Sequence, residues 1–255
     1  MAATTNHPSF MQPSDPTATL WRYMDLSKFA ALLQRRALAF ARADQLGDPF
    51  EGSLPQPNAN LKADVMAVRK SAPDEDPFKG LSDEAVESIF EAKSTARRTM
   101  LTMVFVNCWH INNNESAAMW KVYAKSSDAI CVRTNYNALV SVLPDDVCTG
   151  VIRYIDYGSD MIENRNLLSP FLVKRRSFAY EQEARAVLLE PLHELQSQNM
   201  PMVREIPIDI NRLIERVYVS PASPPWFREV IVTLSQSYGL TATIRQSEID
   251  SVPLF

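Results

Sequence analysis

Two glutamates and an arginine stand two positions apart at the mouth of an apolar, β-prone run, Glu181-Gln182-Glu183-Ala184-Arg185-Ala186-Val187-Leu188-Leu189. In an extended chain Glu181, Glu183 and Arg185 all point to one side. Charges of mixed sign on one strand face are costly to bury without partners or a task. A cation pressed against an acid pair decides which carboxylate stays ionised. The alternative is a surface ladder of salt-bridged side chains. The triplet alone names no reaction.

Other chemistry-bearing residues are scattered along the 255-residue chain. Arg22 and Tyr23 lie in a short alternating run, where the plain reading is a strand-end cation and a core aromatic. Asp48 and Glu51 flank a Gly-Asp-Pro turn that they could organise through side chain to backbone hydrogen bonds. Trp120 and Tyr123 are three apart, one helical turn, which favours a core-facing stripe over stacking on a ligand. His110 falls in what reads as an asparagine-rich surface loop, with no visible partner. Lys174-Arg175-Arg176 offers phosphate contacts to a nucleic acid, or else a solvated helix face.

The bulk composition bounds the possibilities. Hydrophobic content of 46% and charged content of 22% are ordinary for a globular chain with a packed core. A net charge of −4 gives no global attraction to nucleic acid or acidic membranes, so any such contact needs a local basic patch. With 6 glycines against 17 prolines, neither a G-x-G-x-x-G nor a G-x-x-x-x-G-K-[ST] phosphate loop is present. Three widely spaced cysteines, Cys108, Cys131 and Cys148, fit neither a disulfide framework nor a zinc knuckle. They suit a reducing cytoplasm. No stretch approaches a membrane span, and the opening residues lack an apolar signal core.

These residues must be positioned by the following elements. Residues 1–19 read as a disordered lead-in. Leu20 to Tyr23 is a strand, followed by a helix capped by Asp25 or Ser27 with Leu26, Phe29, Ala30 and Leu33 on one stripe. Leu38 to Arg42 is a second strand. Residues 54–100 read as a mostly helical insertion, with helices near Leu61–Lys70 and Ser82–Met100. Met103 to Trp109 is a buried strand, Glu115 to Ala124 a short helix, and Ala129 to Thr134 a strand leading into a helix capped by Asn135. Gly150 to Tyr157 alternates as a strand, and helical sequence with a break at Pro170 is expected from Asp160 to Phe178. Strands at Met202–Ile208 and Val217–Ser220, a helix from Pro225 to Tyr238 and a strand over Thr241–Ile249 complete the chain. The expectation is one α+β domain over 20–255 with a mixed, largely antiparallel sheet and the helical insertion.

Leu20-Trp21-Arg22-Tyr23, Phe40 through Asp48-Pro49-Phe50-Glu51, Met119-Trp120-x-x-Tyr123, Lys174 through Tyr180-Glu181-x-Glu183-x-Arg185, and Ser247-Glu248-Ile249 occur in that order. On these segments the chain resembles a bacterial family known as domain of unknown function 2971. More distantly, the opening strand-helix-strand and the late Glu-x-Glu are similar to ADP-ribosyltransferase folds, although no Ser-x-Ser occurs on a middle strand. That resemblance implies an NAD-consuming transferase, of the kind found in defence or toxin systems. It implies Glu183 as the catalytic carboxylate and Glu181 as the group that orients or deprotonates the acceptor. It further implies Arg22, Tyr23 and Tyr123, with Asp48, Glu51 and Arg185, around NAD, and no metal. The rival expectations are a magnesium nuclease built on Asp48, Glu51, Glu181 and Glu183, and a non-enzymatic interaction module.

Overall fold

The computed structural model describes residues 3–5, 7–123, 127–163, 166–191 and 200–251. The first strand, β1 (Thr19–Asp25), runs into α1 (Leu26–Arg35), whose N-cap Asp25 accepts a hydrogen bond from the Lys28 amide. β2 (Ala37–Arg42) follows, and then α2 (Gln56–Ser71) and α3 (Asp83–Met103), the latter capped by Ser82. The chain continues through β3 (Val104–Ile111), α4 (Ala117–Tyr123), β4 (Ala129–Asn135), α5 (Tyr136–Val142), β5 (Val147–Val151) and β6 (Arg153–Ile155). After two 3₁₀ turns flanking β7 (Val173–Arg175) come β8 (Glu183–Leu189), β9 (Val203–Pro207), α6 (Ile210–Leu213), β10 (Arg216–Val219), α7 (Pro225–Ser237) and β11 (Thr243–Gln246). The class is α+β. The main sheet is antiparallel except where α7 carries the chain from β10 to its parallel neighbour β11.

The strand order is β11-β10-β4-β1-β3-β2-β9, with β8 on the other edge of β3 and β5 beyond it. β3 is the branch point. Its whole length pairs with β8, from Val104↔Leu189 to His110↔Glu183. Its opposite edge is divided between two strands: β2 takes Phe105 and Val106, and β1 takes His110 and Ile111. β1 and β2 therefore diverge, and a fork opens beside Asn107, Cys108 and Trp109.

Strand alternation sends apolar side chains to both faces. One face, bearing Leu20, Met24, Trp109 and Ala184, packs against Phe29 and Leu33 of α1, Leu139 of α5, Leu213 of α6 and Ile231 of α7. The other carries Val104, Val106 and Val187 against Phe10, Met100, Phe171 and Leu172. A smaller cluster places Trp21 and Tyr23 against Met119 and Trp120 of α4. No helix among the described residues is long and apolar enough to cross a membrane.

Three expectations are corrected. The lead-in is bound to the sheet: the Thr4 amide donates to Val147 O, the Thr149 amide donates to Thr4 O, and Phe10 is buried. Ala3 and Phe10 are buried although Met11 stays exposed, a distinction that composition does not register. The expected helix over 160–178 is instead a 3₁₀ turn (Ser169–Leu172), β7 and a second 3₁₀ turn (Arg176–Glu181). Leu168, Phe171 and Leu172 have helical spacing, but one turn satisfies it. His110 belongs to β3, which runs to Ile111, and is buried rather than set in a surface loop. The short helix expected to reach Ala124 ends its described span at Tyr123, and Ala124 lies outside the described residues.

Candidate functional site

Glu183 and Arg185 project from the same face of β8, as the two-residue spacing predicts, and the Arg185 Nε donates to Glu183 Oε1 at 2.7 Å. Glu181 reaches the same place by a different route. It closes the 3₁₀ turn Arg176–Glu181, and Gln182 then adopts a left-handed conformation (φ 40°, ψ 57°) before the strand begins. A non-glycine residue held there costs on the order of 1 kcal/mol. The kink lets two carboxylates that strand alternation does not relate converge on one cation. That cation is Lys174, on β7, whose Nζ contacts Glu181 Oε2 and lies 3.3 Å from Glu183 Oε2.

Arg185 is 1% exposed, and all its nitrogens are engaged. Nη1 donates to Glu51 and to the Phe171 carbonyl at 2.7 Å, and Nη2 donates to Glu51 at 3.3 Å. Glu51 enters from the turn after β2, whose geometry depends on Gly52. That residue has φ +69°, and a Cβ there would lie 2.6 Å from the Phe171 ring. Asp48 organises the same turn by accepting from the Phe50 amide at 3.0 Å. It also receives Arg175 Nη2 at 2.7 Å. Arg175 lies over Phe50, 4.3 Å from its centroid, and Arg176 pairs with Asp160 at 3.0 Å. Each member of the basic triplet thus faces a carboxylate.

Burial alone would push the Glu183 carboxyl up, but Arg185 and then Lys174 outweigh it and hold it at about 2. Burial pushes Glu51 upward against the pull of Arg185. Lys174 is held above the usual lysine range: desolvation opposes its charge, and Glu183 and Glu181 more than compensate. The Glu183 amide donates to Tyr154 Oη at 2.8 Å, and the Cys108 thiol hydrogen-bonds its carboxylate. His110 Nδ1 lies 2.6 Å from the Glu181 carbonyl and Nε2 3.3 Å from Asn112 Nδ2. That pairing fits the neutral Nδ1–H tautomer, and burial lowers the imidazole pKa accordingly.

Arg22 occupies the fork. Alternation starts it on the face opposite Glu183, since Trp21 pairs with His110 and His110 with Glu183. Its guanidinium then turns into the opening. Nη2 donates to Ala39 O on β2 at 3.4 Å, and Cζ lies 5.7 Å from the Trp109 ring centroid. Nη1 is buried and has no hydrogen-bond partner among the described residues. Arg22 is within electrostatic reach of Cys108 and Tyr123, and desolvation lowers its pKa. Those two residues bridge to the acid pair, Cys108 through Glu183 and Tyr123 through its hydroxyl, 3.4 Å from Glu181 Oε1. No ion pair joins Arg22 to either glutamate among the described residues.

Of the expected stackers, Tyr123 is 43% exposed at the rim. Tyr23 is buried, edge-on to Trp120 at 5.0 Å, and its hydroxyl accepts from the Ser116 amide. Glu51 and Arg185 are sealed in the core, so they can only position the acid pair. A cavity of about 310 Å³ adjoins the kink, lined by Pro13, Asp15, Ile111, Tyr154, Gln182 and Glu183. A larger crevice of about 460 Å³ lies at the β10–β11 end and shares no residue with the acid pair. Lys174 is the central residue that sequence reasoning misplaced. Its signal was available as a lysine seven positions before a Glu-x-Glu, but a three-residue strand has no periodicity to reveal it.

No family model matches the chain, and no curated protein matches it. Among solved structures it is similar to DarT of Thermus sp. 2.9 in complex with NAD+, at 9% identity over 93% of this chain and 98% of that one, with a TM-score of 0.42. The same protein in complex with ADP-ribosylated single-stranded DNA gives 9% identity, 93% and 97% coverage and a TM-score of 0.41. Superpositions this loose leave the chemistry to be read from the side chains.

Proposed function

We propose that this chain is an NAD-consuming, ADP-ribosyltransferase-like enzyme of the domain of unknown function 2971 type, acting in bacterial defence or toxin systems. One observation carries the reading. Around β3, an arginine with an unsatisfied buried N–H and a cation-fixed carboxylate pair stand on either side of Cys108 and Tyr123. An orphaned buried guanidinium nitrogen is costly unless something accepts its hydrogen bond, and a phosphate or ribose oxygen would do so.

The reaction breaks the bond between ribose C1′ and the nicotinamide nitrogen, and the electron pair leaves with neutral nicotinamide. Positive charge develops on the ribose, as in glycoside cleavage. A fixed carboxylate beside C1′ stabilises that charge without reorganising. Glu181 takes this role, because it meets the hydroxyl of Tyr123, a residue at the rim, while Glu183 is enclosed by Arg185, Lys174 and Cys108. This reverses the roles expected from the sequence. The acceptor oxygen or nitrogen then bonds to C1′ and its proton passes to Glu181 or to water. Tyr123 stacks on the nicotinamide ring.

A magnesium nuclease on Asp48, Glu51, Glu181 and Glu183 is less well supported. Each of the four carboxylates faces Arg175, Arg185 or Lys174. No group of three or more His, Cys, Asp or Glu among the described residues is spaced to hold a metal. Incubation with labelled NAD and mixed macromolecules tests the proposal. Label transfer or nicotinamide release is expected from the wild type, with Glu181→Gln folded but at least about 100-fold slower. A wild type that neither transfers label nor releases nicotinamide would leave an interaction module.

A further inference from the structure

Lys174 contacts both members of the acid pair, whereas Arg185 contacts Glu183 and is otherwise held by Glu51 and the Phe171 carbonyl. Its backbone is fixed by the parallel pairing of β7 with β6, where Tyr154 faces Lys174. The Lys174 side chain is 11% exposed, and its ammonium lies 4.9 Å from the Phe178 ring centroid. The titratable and charged groups facing the pair come from every neighbouring element. They are Arg185 on β8, Glu51 from its turn, Cys108 and His110 on β3, Tyr123 on α4 and Tyr154 on β6, with Arg22 beyond Cys108 and Tyr123. Among the described residues, Lys174 supplies the cation in contact with Glu181.

We propose that Lys174 is a positioning residue whose ammonium bridges Glu181 and Glu183, supplying the counter-charge the pair shares and keeping Glu181 beside Tyr123. Without the bridge, Glu183 keeps Arg185 but Glu181 lies beside it with no cation in contact, which favours uptake of one proton by the pair. The bridge is a statement about the pair itself; its catalytic consequence rests on the transferase reading.

Side-chain nuclear magnetic resonance on the wild type and on Lys174→Met and Lys174→Arg separates the two. In the wild type, the Lys174 ammonium should remain protonated at about pH 11, where a free lysine is largely neutral. In Lys174→Met, one of the two carboxyls should titrate above about pH 5.5, and in Lys174→Arg neither should. For nicotinamide release from NAD near pH 8, kcat should fall about 100-fold in Lys174→Met with KM within about threefold, and Lys174→Arg should stay within about tenfold. A lysine titrating with the surface lysines, or a Lys174→Met protein with both carboxyls ionised down to about pH 4, overturns the bridge. If Lys174→Met does not fold, the wild-type lysine titration decides. Absence of nicotinamide release from the wild type ends the catalytic half and leaves the titrations to decide the bridge.

Discussion

Two arginines on strands flanking β3, one buried and one half-buried, have opposite fates. Arg185 has every nitrogen engaged, by Glu183, Glu51 and a carbonyl, and almost no surface. Arg22 holds a carbonyl at 3.4 Å, lies near an indole face, and keeps Nη1 buried with no partner among the described residues. The saturated centre is a fastener, because removing it strands two carboxylates in the core. The unsaturated one is the candidate receptor, because among the described residues nothing accepts its remaining N–H. The difference originates in pairing. β3 is fully covered by β8 on the Arg185 side, whereas on the Arg22 side β1 and β2 share its edge and part between them.

The largest expected effect follows from breaking the fastener. Arg185→Met should destabilise the fold by about 3–5 kcal/mol in denaturant titration, the range for orphaning a buried ion pair. A loss below about 1 kcal/mol would mean that Glu51 and Glu183 are not held as described.

Next in size is the acid limb. The folded carboxyl of Glu183 sits at about 2, below an unfolded value of about 4.3, so its contribution is complete above the higher value. That contribution is lost as pH falls through the interval between them. The denaturation midpoint of the wild type should drop across that window, and Glu183→Gln should flatten the decline. An unchanged slope in the variant would contradict the pairing.

How much of this the sequence disclosed depends on the type of constraint. Caps were legible: Asp25, one of the two candidates for its helix, and Asn135 each accept the expected amide hydrogen bond, because the signal is local. The side-sharing of Glu183 and Arg185 was legible from the two-residue period. Glu181 was placed correctly in space for the wrong reason, since a left-handed Gln182 does what alternation was expected to do. Nothing in a glutamine announces positive φ. Lys174 and the fork at Asn107–Trp109 were not legible, since one depends on a strand of three residues and the other on which partner claims which half of an edge.

The smallest effect sharpens this point. Gln182→Gly removes the cost of the left-handed kink and should stabilise the fold by up to about 1 kcal/mol, with the loss of unfolded-state restriction offsetting part of the gain. Clear destabilisation in the same denaturant assay would mean that the side chain, not the backbone, holds the turn.

The central claim is that the Arg22 fork and the Glu181–Glu183 kink serve one donor site. The most direct measurement is nicotinamide release from saturating and subsaturating NAD by the wild type and by Arg22→Met, both checked for unchanged thermal unfolding. Turnover by the wild type with a loss of about 100-fold or more in kcat/KM for Arg22→Met is the predicted result. Equal turnover by the two proteins, or none by the wild type, would contradict it.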